Sequence, residues 1–425
     1  MRLLIAALIA PCVFAQSAEH WVGTWATSPQ KPFTFPFRRP AAPPAGANKA
    51  APAPPRPAAI TSFHNQTIRM IAHTTIGGPQ VRIELSNVFG NEPLVIGAAH
   101  IALREKDSDI VAATDHAVMF GGRPGCSIPP GATEISDPVN FDLPPASDLA
   151  VSIYLPDTAP AGTFHAVGLH TTYISKEGDS VAAPAIADPE TSQSYYFLTN
   201  VDVAAPADAA AIVAFGDSIT DGATSTPDTN RSWPEFLARR LAAAGANISV
   251  LNEGISGNQL LRDGAGINAL ARFDRDVLVQ PGVKWLMIME SINDIGLGSR
   301  SATPGKDAVS SGALIAGLNQ LIERAHEHGI KVIGCTLTPY EGAAYYSESG
   351  ETIREAVNQW IRSSGAFDAV VDFDTVTRDP DHPKEIHPSF NIRDHLHPND
   401  AGYEAMANSI NLSIFGVKSS ATAAK

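Results

Sequence analysis

The chain has 425 residues, enough for two domains with full-sized cores. Its 44% hydrophobic and 17% charged residues describe a globular protein and exclude a largely disordered one. A net charge of −14 and a pI near 5.3 argue against nucleic acid or an anionic membrane as partner.

In chain order, the first stretch is MRLLIAALIAPCVFAQ. One early positive charge, an apolar run too short to span a bilayer and the small residue Ala15 predict a secretory signal peptide over residues 1–15 and an extracellular or periplasmic protein. Cys12 would suggest lipidation, but Pro11 fits a lipoprotein signal poorly. HWVGTWATSP follows, with Trp21 and Trp25 spaced to share a face. A Pro- and Ala-rich insertion at about residues 36–58 has no apolar periodicity and cannot bury a core.

From Thr67 to about Asn200 the chain reads as short β runs separated by Gly, Pro, Asn and Asp clusters. Alternation is clear in Thr67–Ile71 and in Val81–Leu85. This predicts an all-β, jelly-roll-like sandwich domain over residues 16–205. The small-residue stretch AAPADAAA, residues 204–211, reads as the boundary.

From Ala211 the rhythm becomes strand, loop, helix. Strands are expected at AIVAFG, NISVLNEG, VKWLMIME, KVIGCTLTP and FDAVVDFD. Helices are expected at SWPEFLARRLAAAG, INALARFDRDVLVQ, DAVSSGALIAGLNQLIERAHEHG, ESGETIREAVNQWIRSSG and NDAGYEAMANSINLSIF. Such alternation predicts an α/β domain over residues 206–417, with a parallel sheet covered on both faces. Residues 418–425 read as a tail. The two cysteines beyond the leader, Cys126 and Cys335, are expected to be free thiols.

Four short blocks punctuate this second half: GDSIT at 216–220, GISGNQ at 254–259, SINDIG at 291–296 and DHLHPND at 394–400. A serine on a small-residue turn between a buried strand and a helix stands at the carboxyl edge of the sheet, where open α/β folds place their sites. Ser218 is that serine. A hydroxyl needs an adjacent base, and Asp394 precedes His397 by three residues, so one turn can present both.

In order and spacing the four blocks resemble the SGNH, or GDSL-type, hydrolases. The resemblance implies a flavodoxin-like three-layer α/β/α hydrolase domain and a carboxylic ester hydrolase. It implies Ser218 as nucleophile, His397 as base and Asp394 as its orienting carboxylate. The oxyanion donors would be the Ser218 and Gly257 N–H groups and the Asn293 amide. Asp217, Asn258 and Tyr340 are weaker candidates for lining the substrate. The chemistry calls for no cofactor and no metal. Block three normally opens with glycine, and Ser291 stands there instead. That serine is accommodated if its φ is negative.

The expected partner is a small-molecule or polysaccharide ester: an acylated carbohydrate, a short-chain ester or, with no long apolar lid evident, less readily a lipid. Two rival readings are a non-catalytic carbohydrate-binding protein with a decayed site and a metallohydrolase built on Asp394, His395 and His397.

Overall fold

The computed structural model describes residues 20–32, 60–298 and 309–418. The signal peptide, the Pro/Ala-rich insertion and all but the first residue of the expected tail lie outside them.

The N-terminal half is rich in antiparallel strands. In one sheet Trp21–Ala26, Leu198–Ala204, Gly78–Ser86 and Thr133–Ile135 lie in that order, with Val139–Leu143 also paired to Gly78–Ser86. A second sheet is centred on Gln66–His73, Asp148–Leu155 and Ala98–Lys106. Burial alternates along Val81–Leu85 as read, whereas Thr67–Ile71 is buried on both faces, Arg69 included. Val81, Ile83 and Leu85 are buried, and they join Ile68, Met70 and Val151 of the second sheet in one apolar cluster.

Strands and helices of the C-terminal half are numbered from Ala210. A five-stranded parallel sheet contains β1 (Ala210–Gly216), β2 (Ile248–Gly254), β3 (Val283–Met289), β4 (Lys331–Cys335) and β5 (Ala369–Val371). Their spatial order is β2-β1-β3-β4-β5, that of a doubly wound sheet with its switch point beside β1. All seven residues of β1 are buried, as expected of a central parallel strand.

The helices are α1 (Ser218–Asp221), α2 (Trp233–Ala243), α3 (Ala269–Phe273), α4 (Ile292–Gly298), α5 (Ser311–Glu327), α6 (Glu348–Ser363), α7 (Phe373–Thr377) and α8 (Asp400–Ser409). They form two mutually contacting groups, α2 with α7 and α8, and α3 to α6. Their starts follow local chemistry. Ser232 and Glu235 form a capping box with Pro234 inside the first turn, and Ser310, Ser347 and Asn399 cap α5, α6 and α8. Two expected helices are shorter than their patterns. NDAGYEAMANSINLSIF is α-helical only to Ser409, with a separate 3-10 turn at Leu412–Phe415. INALARFDRDVLVQ forms only α3 before widening into a π-type turn at Asp274–Leu278, which carries buried Asp276 back onto buried Arg272.

The two halves share an interface of buried polar contacts. The Gly23 N–H donates to the Pro281 carbonyl (3.0 Å), and the Asn200 amide donates to Gln280 Oε1 (2.6 Å). Ser28 donates to Glu253 Oε2 at 2.6 Å. Cys126 and Cys335 are both free. Among the described residues no helix is long and apolar enough to cross a membrane.

Candidate active site

The site assembles at the carboxyl ends of β1, β2 and β3. β1 ends at Gly216, where an added Cβ would lie 2.2 Å from the Met289 carbonyl; only glycine lets the strand end run so close to β3. Asp217 then caps α1 by accepting the Ile219 N–H, and Ser218 opens the helix. In that position the Ser218 N–H has no acceptor within its own helix.

β2 ends at Gly254, whose absent side chain leaves room for Asp221 of α1. The loop beyond it is tied down on either side of Gly257. Ile255 donates to the Gly216 carbonyl, and Ser256 donates through both N–H and hydroxyl to Asp221 Oδ2, at 2.8 and 2.5 Å. Gly257 turns at φ +83°, and Asn258 donates back to the Ile255 carbonyl.

After β3, Asn293 lies in the first turn of α4. Its Nδ2 donates to the Asn258 carbonyl (2.9 Å), and the Tyr345 hydroxyl donates to its Oδ1 (3.3 Å). The two contacts fix which way the amide points. Asp294 accepts the N–H groups of Leu260 and Leu261 at 2.6 and 3.0 Å, coupling the second loop to the third. Burial pushes the Asp294 carboxyl up to about 6 against those donors.

The last block forms a tight turn. Asp394 Oδ1 accepts the N–H groups of Leu396 and His397, while its Oδ2 accepts from His397 Nδ1 at 2.6 Å. With its proton on Nδ1, His397 presents Nε2 as the acceptor for Ser218 Oγ at 2.9 Å. Burial pushes the Asp394 carboxyl up, but the hydrogen bond and charge of His397 outweigh it and leave it below the ordinary value. Thr224 and Thr226 of the segment after α1 pin this turn through the Pro398 carbonyl and the Asp400 carboxylate.

The three weaker candidates are all buried. Asp217, Asn258 and Tyr340 do not line an open surface, being 0%, 1% and 0% exposed. Asp217 is turned inward to cap α1. The Asn258 amide donates to the Ala265 and Ile267 carbonyls and accepts from Arg272. Tyr340 packs against Tyr345 and Tyr346, and of the three it is Tyr345 that reaches the site. Ser291 does not meet the condition of a negative φ: its φ is +116°, and its hydroxyl is buried without a partner.

Behind the site lies a buried charged layer that the sequence did not single out. The Arg272 guanidinium, 3.9 Å from the centre of the Phe215 ring, donates to the Gly216 carbonyl, Asn258 Oδ1, the Glu253 carbonyl and Asp276. It thereby joins the ends of β1 and β2 to the turn after α3. Burial pushes the Asp217 carboxyl up to about 7, and it pushes Glu290 well above its ordinary value, with the charge of Asp217 adding to that rise.

Fold and site together define an α/β domain of doubly wound type with a Ser–His–Asp line at the carboxyl edge of its sheet. Residues 214–405 match the model of the GDSL-like Lipase/Acylhydrolase family. A lipoprotein of Bacillus subtilis (strain 168) described as uncharacterized is 35% identical over 128 residues, which are 30% of this chain and 48% of that protein. The chain thus spans about half the length of that curated relative. An acetyl xylan esterase variant from Geobacillus stearothermophilus is 23% identical, with TM-score 0.38, over 49% of this chain and 95% of that one. A lipolytic protein of the G-D-S-L family from Desulfitobacterium hafniense is 24% identical, with TM-score 0.34, over 47% and 96%. At such scores the likeness says nothing of activity.

Proposed function

We propose that the chain is an exported serine carboxylic ester hydrolase acting on short acyl esters. The observation that carries this reading is the continuous line Ser218 Oγ, His397 Nε2, His397 Nδ1, Asp394 Oδ2, with contacts of 2.9 and 2.6 Å.

In this reading His397 takes the Ser218 proton as Oγ attacks the ester carbonyl, and Asp394 stabilises the imidazolium that forms. The tetrahedral oxyanion is met by the N–H groups of Ser218 and Gly257 and by the second Nδ2 hydrogen of Asn293, the first being held by the Asn258 carbonyl. Removing one such donor typically costs about 2.7–4 kcal/mol of transition-state stabilisation. His397 returns its proton to the leaving alcohol, leaving an acyl ester on Ser218. Water activated by the same imidazole then releases the acid.

The domain division at 205/206 is part of the proposal. Leu198–Ala204 closes an antiparallel sheet, and Ala210 opens the parallel one. The two antiparallel sheets are read as the layers of a sandwich because each buries apolar residues, Val81, Ile83 and Leu85 in one and Ile68, Met70 and Val151 in the other. Export rests on the sequence of residues 1–15 and accords with the lipoprotein name of the B. subtilis relative. The metallohydrolase reading is disfavoured because both ring nitrogens of His397 are already engaged.

The test is a hydrolysis panel of nitrophenyl esters of about two to twelve carbons beside acetylated xylan and pectin, run on wild type and Ser218→Ala. The expected result is fastest turnover of the shortest chains and, for Ser218→Ala, a loss of at least about 10³-fold. Activity retained in Ser218→Ala contradicts the mechanism, and faster turnover of long chains contradicts the substrate class.

A further inference from the structure

The turn that bears Ser218 and the loop that bears Gly257 are joined by one carboxylate, Asp221. It closes α1, one helical turn from Ser218, and its Oδ2 takes both donors of Ser256, the residue before Gly257. Its other oxygen faces a side chain from the opposite half of the molecule. His165 lies on the short strand Phe164–His165 of the antiparallel half, and its Nε2 stands 3.1 Å from Asp221 Oδ1. His165 Nδ1 stands 2.9 Å from the Ser28 carbonyl.

A carbonyl can only accept, and so can an ionised carboxylate. Opposite an ionised Asp221, both ring nitrogens of His165 donate, and the pair is an imidazolium with an aspartate. The pair is sealed between the halves, its side chains 4% and 3% exposed. Burial alone would drive such a ring neutral; the charge and hydrogen bond of Asp221, with the backbone carbonyls, hold its pKa above the ordinary value.

We infer that His165 is a positioning residue of the hydrolytic site, acting from the antiparallel domain through Asp221 and Ser256 to hold the Gly257 N–H in register with Ser218. The inference rests on the proposed esterase reading and deepens it. The antiparallel half supplies part of the scaffold of the oxyanion loop and is more than an appended binding module. Ser28 serves the same arrangement from its hydroxyl, which donates to Glu253 and accepts from Arg272. One segment of the N-terminal half thus meets both the imidazolium and the buried guanidinium behind the site. Without the His165 charge, Asp221 retains a buried negative charge and a vacant oxygen, and Ser256 loses its fixed anchor.

The experiment compares full-length wild type, Ser218→Ala, His165→Gln, Ser256→Ala and the His165→Gln/Ser256→Ala double variant. It measures kcat and KM on a nitrophenyl acetate, with melting temperature as a check of folding. The expected result is a fall in kcat of about 10- to 100-fold in each of His165→Gln and Ser256→Ala, with KM within about threefold, since displacement of an oxyanion donor acts in the transition state. The double variant should fall no further than the worse single one, because both changes cut the same chain of contacts. Unchanged kcat in folded His165→Gln, or additive losses in the double variant, overturns the inference. If His165→Gln does not fold, Ser256→Ala decides: unchanged kcat overturns the inference, and reduced kcat at an unchanged melting temperature supports it. Activity retained in Ser218→Ala overturns the esterase reading and the inference with it, whereas loss there beside full activity in the other variants overturns the inference alone.

Discussion

At the scale of single residues, Ser291 is the clearest case of strain beside a site. Its φ of +116° lies where a Cβ is disfavoured, and its buried hydroxyl has no partner to offset the cost. Strain of this kind is worth about 1–3 kcal/mol, against roughly 0.5–1 kcal/mol for the extra freedom of an unfolded glycine. Ser291→Gly should therefore stabilise the protein by about 1 kcal/mol, seen as a higher denaturant midpoint at unchanged slope. A lower midpoint would show that the serine hydroxyl is held by something the geometry does not reveal. Asp217 offers a second test, through pH. Its folded-state carboxyl is pushed by burial from 3.8 up to about 7, so the folded protein binds the proton more tightly than the unfolded chain. The stability this contributes is fully present below about pH 4 and is lost as pH rises through about 7. Between pH 5 and 8, wild type should lose at least about 1 kcal/mol more stability than Asp217→Asn, measured by urea unfolding at each pH. Asparagine can still cap Ile219 through its oxygen, which keeps the comparison clean. Equal losses in the two proteins would contradict the buried, protonated carboxyl.

At the scale of elements, the loops are placed by backbone closeness as much as by side-chain bonds. β2 can end against α1 because residue 254 has no side chain; a Cβ there would sit 2.2 Å from the Asp221 nitrogen and 2.6 Å from its Cα. Gly254→Ala must therefore push α1 and the second loop apart. The expected result is a loss of about 2 kcal/mol or more of stability together with at least a tenfold lower kcat, because overpacking against backbone cannot be relieved by a rotamer. Stability and kcat equal to wild type would show that the two elements have slack. The sequence made this layer largely legible. The apolar run Ala211–Phe215, the small-residue turn after it and the Ser232/Glu235 capping box are local signals, and the strands and helices fall where those signals put them. The short third helix was not legible, because its early end depends on Arg272 meeting the Gly216 and Glu253 carbonyls of distant strands as well as Asp276 four residues on. HWVGTWA carried no strand signal strong enough to stand out, yet Trp21–Ala26 pairs with Leu198–Ala204, nearly two hundred residues on.

At the scale of the whole molecule, the four blocks that the sequence singled out do converge, and what it did not reveal lies where the two halves meet. Ser218, Gly257, Asn293, Asp394 and His397 could be named from motifs because each sits in a short local pattern. His165, Ser28 and Tyr345 belong to no such pattern, since their importance comes only from what they touch across the fold. Tyr340 shows the same limit: it packs against Tyr345 and Tyr346, and it is the Tyr345 hydroxyl that donates to Asn293 Oδ1. The interface itself is built of buried, satisfied polar pairs, such as Ser28 with Glu253 and Asn200 with Gln280. Such pairs specify one docking geometry better than apolar surface alone. The account as a whole stands on the reactivity of one hydroxyl. The most direct measurement is covalent labelling of the folded, full-length protein with a fluorophosphonate, read by intact mass and peptide mapping. One adduct per chain is expected on Ser218, absent from Ser218→Ala and strongly slowed in His397→Ala. A folded protein that takes up no label, or takes it up at another residue, would contradict it.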